Sequence, residues 1–288
     1  MNKKIDNFLR RVPDNFVLNK VFSFITSLIY LYIDKKKKNL GRSINPDILY
    51  LDSNPLISVY VPTYNRASIL KDRAISSVLA QTYKNFEFII SDDGSTDNAE
   101  EVVKSFNDPR IRYIRTSRKE YRYPNKSFYH WLSGPVIAAN AALKECKGLW
   151  TARIDDDDVW TEDHLEKLLK FAINGNYEFV SSHNLVYTPK GKEVRSWRDD
   201  PRDPTGIGAT QTWLYRNYLN KIEYNIHSWR KSYFSVNDTD LKYRMYKSNV
   251  RTGFLEDVTV ITKTRPDEDY IGSNAYIQDP DKYEKLYG

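Results

Sequence analysis

The chain is poor in the residues that build disulfide and zinc sites. It has one cysteine, Cys146, and four histidines among 288 residues. A single thiol excludes an intramolecular disulfide framework and fits a reducing compartment. No Cys/His spacing outlines a zinc site. Long apolar runs are also missing. The most apolar stretch, 21–33, is 13 residues, short of the ~20 that a spanning helix needs. No small-residue cleavage site accompanies it, so a signal peptide is not indicated. Excess positive charge is absent from most of the chain. Residues 1–42 carry ten Lys and Arg against three Asp, a charge of +7; the total is +6, which leaves residues 43–288 at −1. The body therefore lacks the basic surface that a nucleic-acid backbone demands, and no nucleic-acid partner is expected.

What is present begins with that leader. Residues 16–33 are apolar except for Asn19, Lys20, Ser23, Thr26 and Ser27, and Lys35 to Lys38 follow at once. An apolar helix beside a polybasic cluster suits the headgroup region of an anionic membrane. The same pattern also serves a helix packed on the main domain, or a short span whose lysines keep the domain cytoplasmic. Residues 1–42 are thus expected to be a helical leader touching an anionic membrane surface, on a cytoplasmic, peripheral protein. Residues 43–55, with Pro46 and Pro55, read as a linker.

Residues 56–265 read as one domain, with a nucleotide-binding half (56–160) and an acceptor half (161–265). The runs 57–61 and 86–90 are strand-like, and 67–80 between them has helical spacing. A helix over 98–106 and a strand over 111–114 follow. This alternation predicts an α/β fold with a mostly parallel sheet covered by helices. Ligands on such sheets bind outside the carboxyl ends of the strands, where the polar clusters 62–66, 91–97 and 155–158 fall. Further on, helices are expected over 135–147, 161–171, 213–219 and 238–246. Strands are expected over 149–154, 177–187 with 193–197, and within 250–262. The tail, 266–288, either folds over the site or stays loose.

Asp155 to Asp158 are the chemical focus. Four adjacent acids repel one another, and carboxylates at a strand end suit a hard divalent cation, Mg²⁺ or Mn²⁺, shared with the phosphates of a ligand. A solvated acidic turn would look the same. Residues 117–133 are basic and aromatic. They read either as a surface excursion or as a cover with Arg118, Lys119, Arg122 and Lys126 near phosphates.

Four stretches then carry a resemblance. They are 59–66 (VYVPTYNR), 77–83 (SVLAQTY), 91–97 (SDDGSTD) and 154–158 (IDDDD). In order and spacing they resemble the motifs of family 2 glycosyltransferases. The resemblance implies a GT-A fold, a three-layer α/β/α sandwich. It also implies a nucleotide-sugar donor, probed first as UDP-linked, a divalent cation, and transfer with inversion to a glycan or lipid-linked hydroxyl. By the same resemblance Pro62 and Tyr64 border the base, Tyr64 by stacking, and Asp93 accepts from the base, with Asp92 beside it as the weaker choice. Asp157 is the metal ligand, Asp155 and Asp156 hold ribose or metal-bound water, and Asp158 supports them. Inversion needs a carboxylate base on the face opposite the leaving group. Asp238, in 237–241 (NDTDL), matches the family's downstream acidic motif, with Asp240 next and Glu256-Asp257 after it. A helix cap is the plainer role for Asp238.

Two departures stand out. Where the family carries Ala-Arg-Asn, this chain has Ala138-Ala139-Asn140, so a cation expected near the nucleotide is missing. The downstream motif begins with Asn237 rather than Glu. His183 and His227 are both open as a further metal ligand. Two other classes compete: a sugar-nucleotide nucleotidyltransferase, against which the glycine-free loop 62–66 speaks, and a non-catalytic binding module on the same fold.

Overall fold

A computed structural model of the chain describes residues 15–45, 47, 54–117, 123–188, 191–196, 198, 203–231, 235–266 and 268–287. Four strands, β1 (Ile57–Thr63), β2 (Phe86–Asp92), β3 (Ile111–Arg115) and β4 (Trp150–Arg153), pair in parallel. Every residue of β1 is buried, as befits a central strand covered on both faces. The remaining strands are β5 (Asp158–Trp160), β6 (Phe179–Thr188), β7 (Gly191–Arg195), β8 (Leu214–Arg216) and β9 (Thr252–Lys263). They complete a nine-stranded sheet, β3-β2-β1-β4-β8-β6-β9-β5, with β7 on β6. Beyond β4 the sheet is mixed, because β8 runs antiparallel to both β4 and β6.

Side chains of β1 alternate between two cores, as the period of a strand requires. Val59 and Val61 join Leu70, Ile75 and Val78 of helix α2 (67–79) and Leu165 and Leu168 of α6 (His164–Asn174). Tyr60 joins Val136 and Leu143 of α5 (Val136–Glu145) and Leu241 and Met245 of α7 (Asn237–Lys247) on the other face. The result is the three-layer sandwich expected. The other helices are α1 (Phe16–Ile44), α3 (Ala99–Ser105), α4 (Ser127–Ser133), α8 (Ser273–Gln278) and α9 (Pro280–Tyr287).

Two expected elements differ. Residues 213–219 are not a helix. Leu214 and Tyr215 bridge β4 and β6 as β8, and a 3₁₀ turn, Asn217–Lys221, follows. A short apolar run does not by itself separate strand from helix. The helix expected at Thr161 starts at His164, because the Thr161 amide donates to the Thr259 carbonyl at 3.0 Å and stays with the sheet.

Among the described residues the leader enters one helix, Phe16–Ile44, of 29 residues, which continues through the four lysines. By length and composition it could cross a membrane, and only 12% of its most apolar window is buried in the protein. Tyr30, Asp34, Lys38 and Gly41 face the domain. A Cβ on Gly41 would stand 2.7 Å from the Tyr218 ring, so the helix approaches too closely for any side chain there. Arg42 donates to Glu178 (Nε to Oε1, 2.7 Å), and Arg244 of α7 to Asp34 at 2.6 Å. The lysine cluster is accordingly divided. Lys38 is buried, Lys37 donates to the Lys221 carbonyl at 2.6 Å, and Lys35 and Lys36 are exposed.

Candidate active site

The carboxyl ends of β1, β2 and β4 open into one cavity of about 1440 Å³. Two loops are laced together at its rim. The Asn65 amide donates to Ser95 Oγ at 2.8 Å, and Asn65 Oδ1 accepts from the Thr96 amide at 2.6 Å. Asn65 has φ 50 and Gly94 φ 85, left-handed conformations that Asn tolerates and Gly adopts freely. Asp92 is inside this lacing. It is buried and accepts from the Ser95 amide and hydroxyl at 2.8 and 2.6 Å, and from the Tyr113 hydroxyl. Asp93 instead lines the cavity and accepts from Thr116 Oγ1 at 2.8 Å. Pro62 and Tyr64 line it too.

Asp155 to Asp157 form the turn between β4 and β5 and Asp158 opens β5, and each of the four has its own surroundings. Asp155 accepts from Arg153 at 2.9 and 3.1 Å. Asp156 accepts from Thr63 Oγ1 at 2.9 Å and from Arg66 Nη1 at 2.8 Å. Burial still pushes both carboxyls above their ordinary range. Asp157 accepts from Arg265 Nε at 2.7 Å. Burial opposes its ionisation, but Arg265 and Arg66 outweigh burial and hold it at about 2. Asp158 is buried, and burial reinforced by Asp157 and Asp155 pushes its carboxyl well above the usual carboxylate range.

The turn is clamped from below. In α2 the residues Lys71–Ile75 form a π turn, and single π turns often mark functional sites. From it, Arg73 Nη1 donates to the carbonyls of Asp157 at 2.8 Å and Lys263 at 3.1 Å, and Nη2 to that of Thr264 at 2.8 Å.

Across the cavity, α7 contributes Asp238 from its first turn. The Thr210 hydroxyl donates to its Oδ2 and the Thr239 amide to its Oδ1 at 2.6 Å. The residue at the cap position is Val236, and Asp238 accepts from a first-turn amide of α7 while it lines the cavity. Asp240 is buried and bonded by Lys231 and Arg244, which hold it below the usual carboxylate range against the effect of burial. Glu256 pairs on the surface with His183 and Arg198, and Asp257 with Lys167. Neither they nor His183 and His227 line the cavity.

One space thus gathers Pro62, Tyr64, Asp93, Asp155 to Asp158 and Asp238. Lys126 is not among the lining residues; it is exposed, just ahead of α4. Arg118, Lys119 and Arg122 lie outside the described residues. Sequence reasoning missed Arg66, Arg153, Arg265 and Tyr287, which all line the cavity. Arg66 stood in the first motif and Arg153 two places before Asp155, so both had a signal in position. Arg265 and Tyr287 had none beyond the tyrosine-rich tail.

The donor set fits a hard divalent cation in one specific way. Among the described residues no three His, Cys, Asp or Glu stand together to hold an ion unaided. Asp157, kept ionised on the cavity wall, supplies one hard carboxylate. That suits an ion which takes its remaining ligands from phosphate and water.

The family model of glycosyl transferase family 2 matches residues 58–127 and 128–242. WfgD of Escherichia coli, a UDP-Glc:alpha-D-GlcNAc-diphosphoundecaprenol beta-1,3-glucosyltransferase, is 32% identical over 179 residues, covering 59% of this chain and 64% of that protein. The putative teichuronic acid biosynthesis glycosyltransferase TuaG of Bacillus subtilis is 35% identical over 179 residues, covering 59% of this chain and 66% of that protein. An uncharacterized glycosyltransferase of Rickettsia felis is 34% identical over 163 residues, which is 56% of this chain and 24% of that protein. The chain therefore spans a quarter to two thirds of the length of these relatives. In fold, it is similar to S. aureus TarS 1-349 in complex with UDP-GlcNAc (TM-score 0.57, 20% identity, 75% of this chain and 61% of that one). It is also similar to the mannosyltransferase PcManGT from Pyrobaculum calidifontis in complex with GDP-Man and Mn²⁺ (TM-score 0.53, 17% identity, 88% and 69%).

Proposed function

The chain belongs to glycosyl transferase family 2, and from that premise we propose an inverting, metal-dependent glycosyltransferase that takes a UDP-linked sugar. It passes the sugar to a hydroxyl of a glycan or lipid-linked acceptor in cell-surface polysaccharide synthesis. The observation that carries this is the single cavity with Asp93 and Asp157 at the strand ends and Asp238 on α7. Asp93 receives the base, beside Pro62 and Tyr64. Asp155 and Asp156 orient the ribose, held in place by Arg153 and by Thr63 and Arg66. Asp157 holds the cation; when bound, a divalent ion neutralises charge on the departing diphosphate. Asp238 takes the proton of the acceptor hydroxyl. Of the nearby carboxylates on α7, Asp240 is already committed to two cations, which supports Asp238 as the base.

The acceptor and membrane parts rest on α1. Val17, Val21, Phe24, Leu28 and Tyr32 are all exposed along it at helical spacing. The name of WfgD describes a lipid-diphosphate acceptor, in keeping with a site carried close to a membrane. Calorimetry with UDP and Mn²⁺, followed by product mass on lipid-linked acceptors, tests the whole. Asp157→Ala is expected to abolish the Mn²⁺-dependent part of UDP binding. Asp238→Asn is expected to keep UDP binding and lose transfer; transfer at near wild-type rate would move the base elsewhere.

A further inference from the structure

The end of the chain occupies the cavity, and it does so with the chemistry of the donor. The ring of Tyr287 stacks on Tyr64 with centroids 5.3 Å apart and planes 25° apart. His130 stacks on Tyr287 at 4.7 Å and 18°. The aromatic platform assigned to a base is therefore already covered by an aromatic ring. The same segment begins with Arg265, whose Nε lies 2.7 Å from Asp157 Oδ2. The carboxylate assigned to a cation is already covered by a cation. Arg265 is tied to the helix that carries Tyr287: Arg265 Nη1 donates to Glu268 at 3.0 Å and to the Tyr283 hydroxyl, which donates to Glu268 in turn, and the Tyr283 and Tyr287 rings lie 6.4 Å apart.

We propose that residues 265–287 are an internal ligand, a plug that mimics a nucleoside diphosphate with its metal ion and keeps the donor site closed until it is displaced. The proposal rests on reading the cavity as a donor site. Two independent contacts at the two ends of the segment coincide with the two ends of a nucleotide–cation complex, base and metal. A merely structural tail has no reason to match both. The plug is also built to open. Its two helices are 6 and 8 residues long, too short to hold by themselves. They depend on contacts to α4, such as Ser127 Oγ to the Tyr276 carbonyl at 2.6 Å. Gly272, at φ 58, precedes them and gives the chain a left-handed turn that other residues rarely adopt. Opening is then a local event that leaves the sheet intact. The cost of opening weakens apparent donor affinity by the fraction of molecules that are open.

The test is carried out on the full chain with UDP and Mn²⁺ as the probe. Hydrogen exchange across 273–287 should quicken when UDP–Mn²⁺ is added, because the nucleotide expels the plug. Tyr287→Ala should bind UDP–Mn²⁺ about tenfold more tightly than wild type, and Tyr287→Phe, which keeps the ring, should match wild type. Slowed exchange on adding UDP, or weaker or unchanged binding by Tyr287→Ala, would overturn the plug. Slowed exchange would make the segment a cover over bound donor, with the donor-site reading intact. If neither wild type nor Tyr287→Ala binds UDP or GDP, the donor-site reading fails and the plug falls with it.

Discussion

At the scale of single residues, four consecutive aspartates behave as four different groups. Their partners are three different arginines: Arg153, two places away, for Asp155, and the distant Arg66 for Asp156 and Arg265 for Asp157. Asp158 has no such arginine among the described residues, and burial with its acidic neighbours raises its carboxyl. The difference is measurable. Asp157 titrates at about 2 in the fold against about 3.9 unfolded. Its depressed value means that ionised Asp157 favours the folded state. That contribution, roughly 2 kcal/mol, is complete above pH 4 to 5 and is lost as pH falls through about 2. Asp157→Asn should therefore be less stable than wild type by about that amount at pH 6 in urea unfolding, and the gap should narrow below pH 4 and close only as the pH falls below about 2. A gap that does not change with pH would mean that Arg265 does not hold the carboxylate. The acids themselves are legible in the sequence because they sit in one run after an apolar strand. Their partners are not, because nothing in sequence spacing ties Arg265 to Asp157 across more than a hundred residues. The same holds for Tyr287 and Tyr64.

At the scale of elements, the strand–helix alternation makes the first half of the domain readable, and apolar periodicity locates α2, α5 and α6. It fails where an element is defined by its neighbours. Residues 214–216 are a strand because β4 and β6 flank them; the segment alone has too few residues to show a period. The π turn of α2 is likewise invisible to spacing, yet it delivers Arg73 to three main-chain carbonyls beneath the acidic turn. Removing that guanidinium leaves three acceptors short of a donor, at about 1–3 kcal/mol for each one that stays buried and unsatisfied. Arg73→Met is expected to lower the melting temperature and to weaken Mn²⁺-dependent UDP binding, with the circular dichroism of the folded state unchanged. UDP binding equal to wild type would show that the clamp sets stability without shaping the site. A second prediction concerns α7. Arg244 bonds Asp240 within the helix and Asp34 on α1. Arg244→Met removes the bond to buried Asp34 and leaves buried Asp240 with Lys231, and breaking a buried pair of this kind costs about 3–5 kcal/mol. Thermal unfolding should show α1 and the domain losing structure earlier; an unchanged midpoint would mean that the leader is not held by this pair.

At the scale of the whole molecule, α7 joins the candidate base to the leader. Asp238 lies in its first turn and Arg244 six residues on, about 9 Å along the axis. Arg244 in turn bonds Asp34, on the domain-facing side of α1. The outward side of α1 presents Val17 at 66%, Phe24 at 69%, Leu28 at 57% and Tyr32 at 62% exposure. This is a continuous apolar stripe on a folded protein, which is costly in water and favourable at a bilayer interface. Lys35 and Lys36 border it, and each lysine near an anionic surface adds about 1 kcal/mol. Lys37 and Lys38 are engaged with the domain, so of these four lysines Lys35 and Lys36 supply the electrostatic share. The full chain should therefore sediment with phosphatidylserine-containing vesicles and much less with neutral ones, and raised salt should reduce binding without abolishing it. Phe24→Asp with Leu28→Asp removes the apolar share and is expected to release the protein at any salt, while UDP binding stays as it was. Lys35→Glu with Lys36→Glu should weaken binding to anionic vesicles only. If the aspartate pair binds vesicles as wild type does, the stripe serves some other surface, and the acceptor side of the cavity is not carried to the membrane by α1.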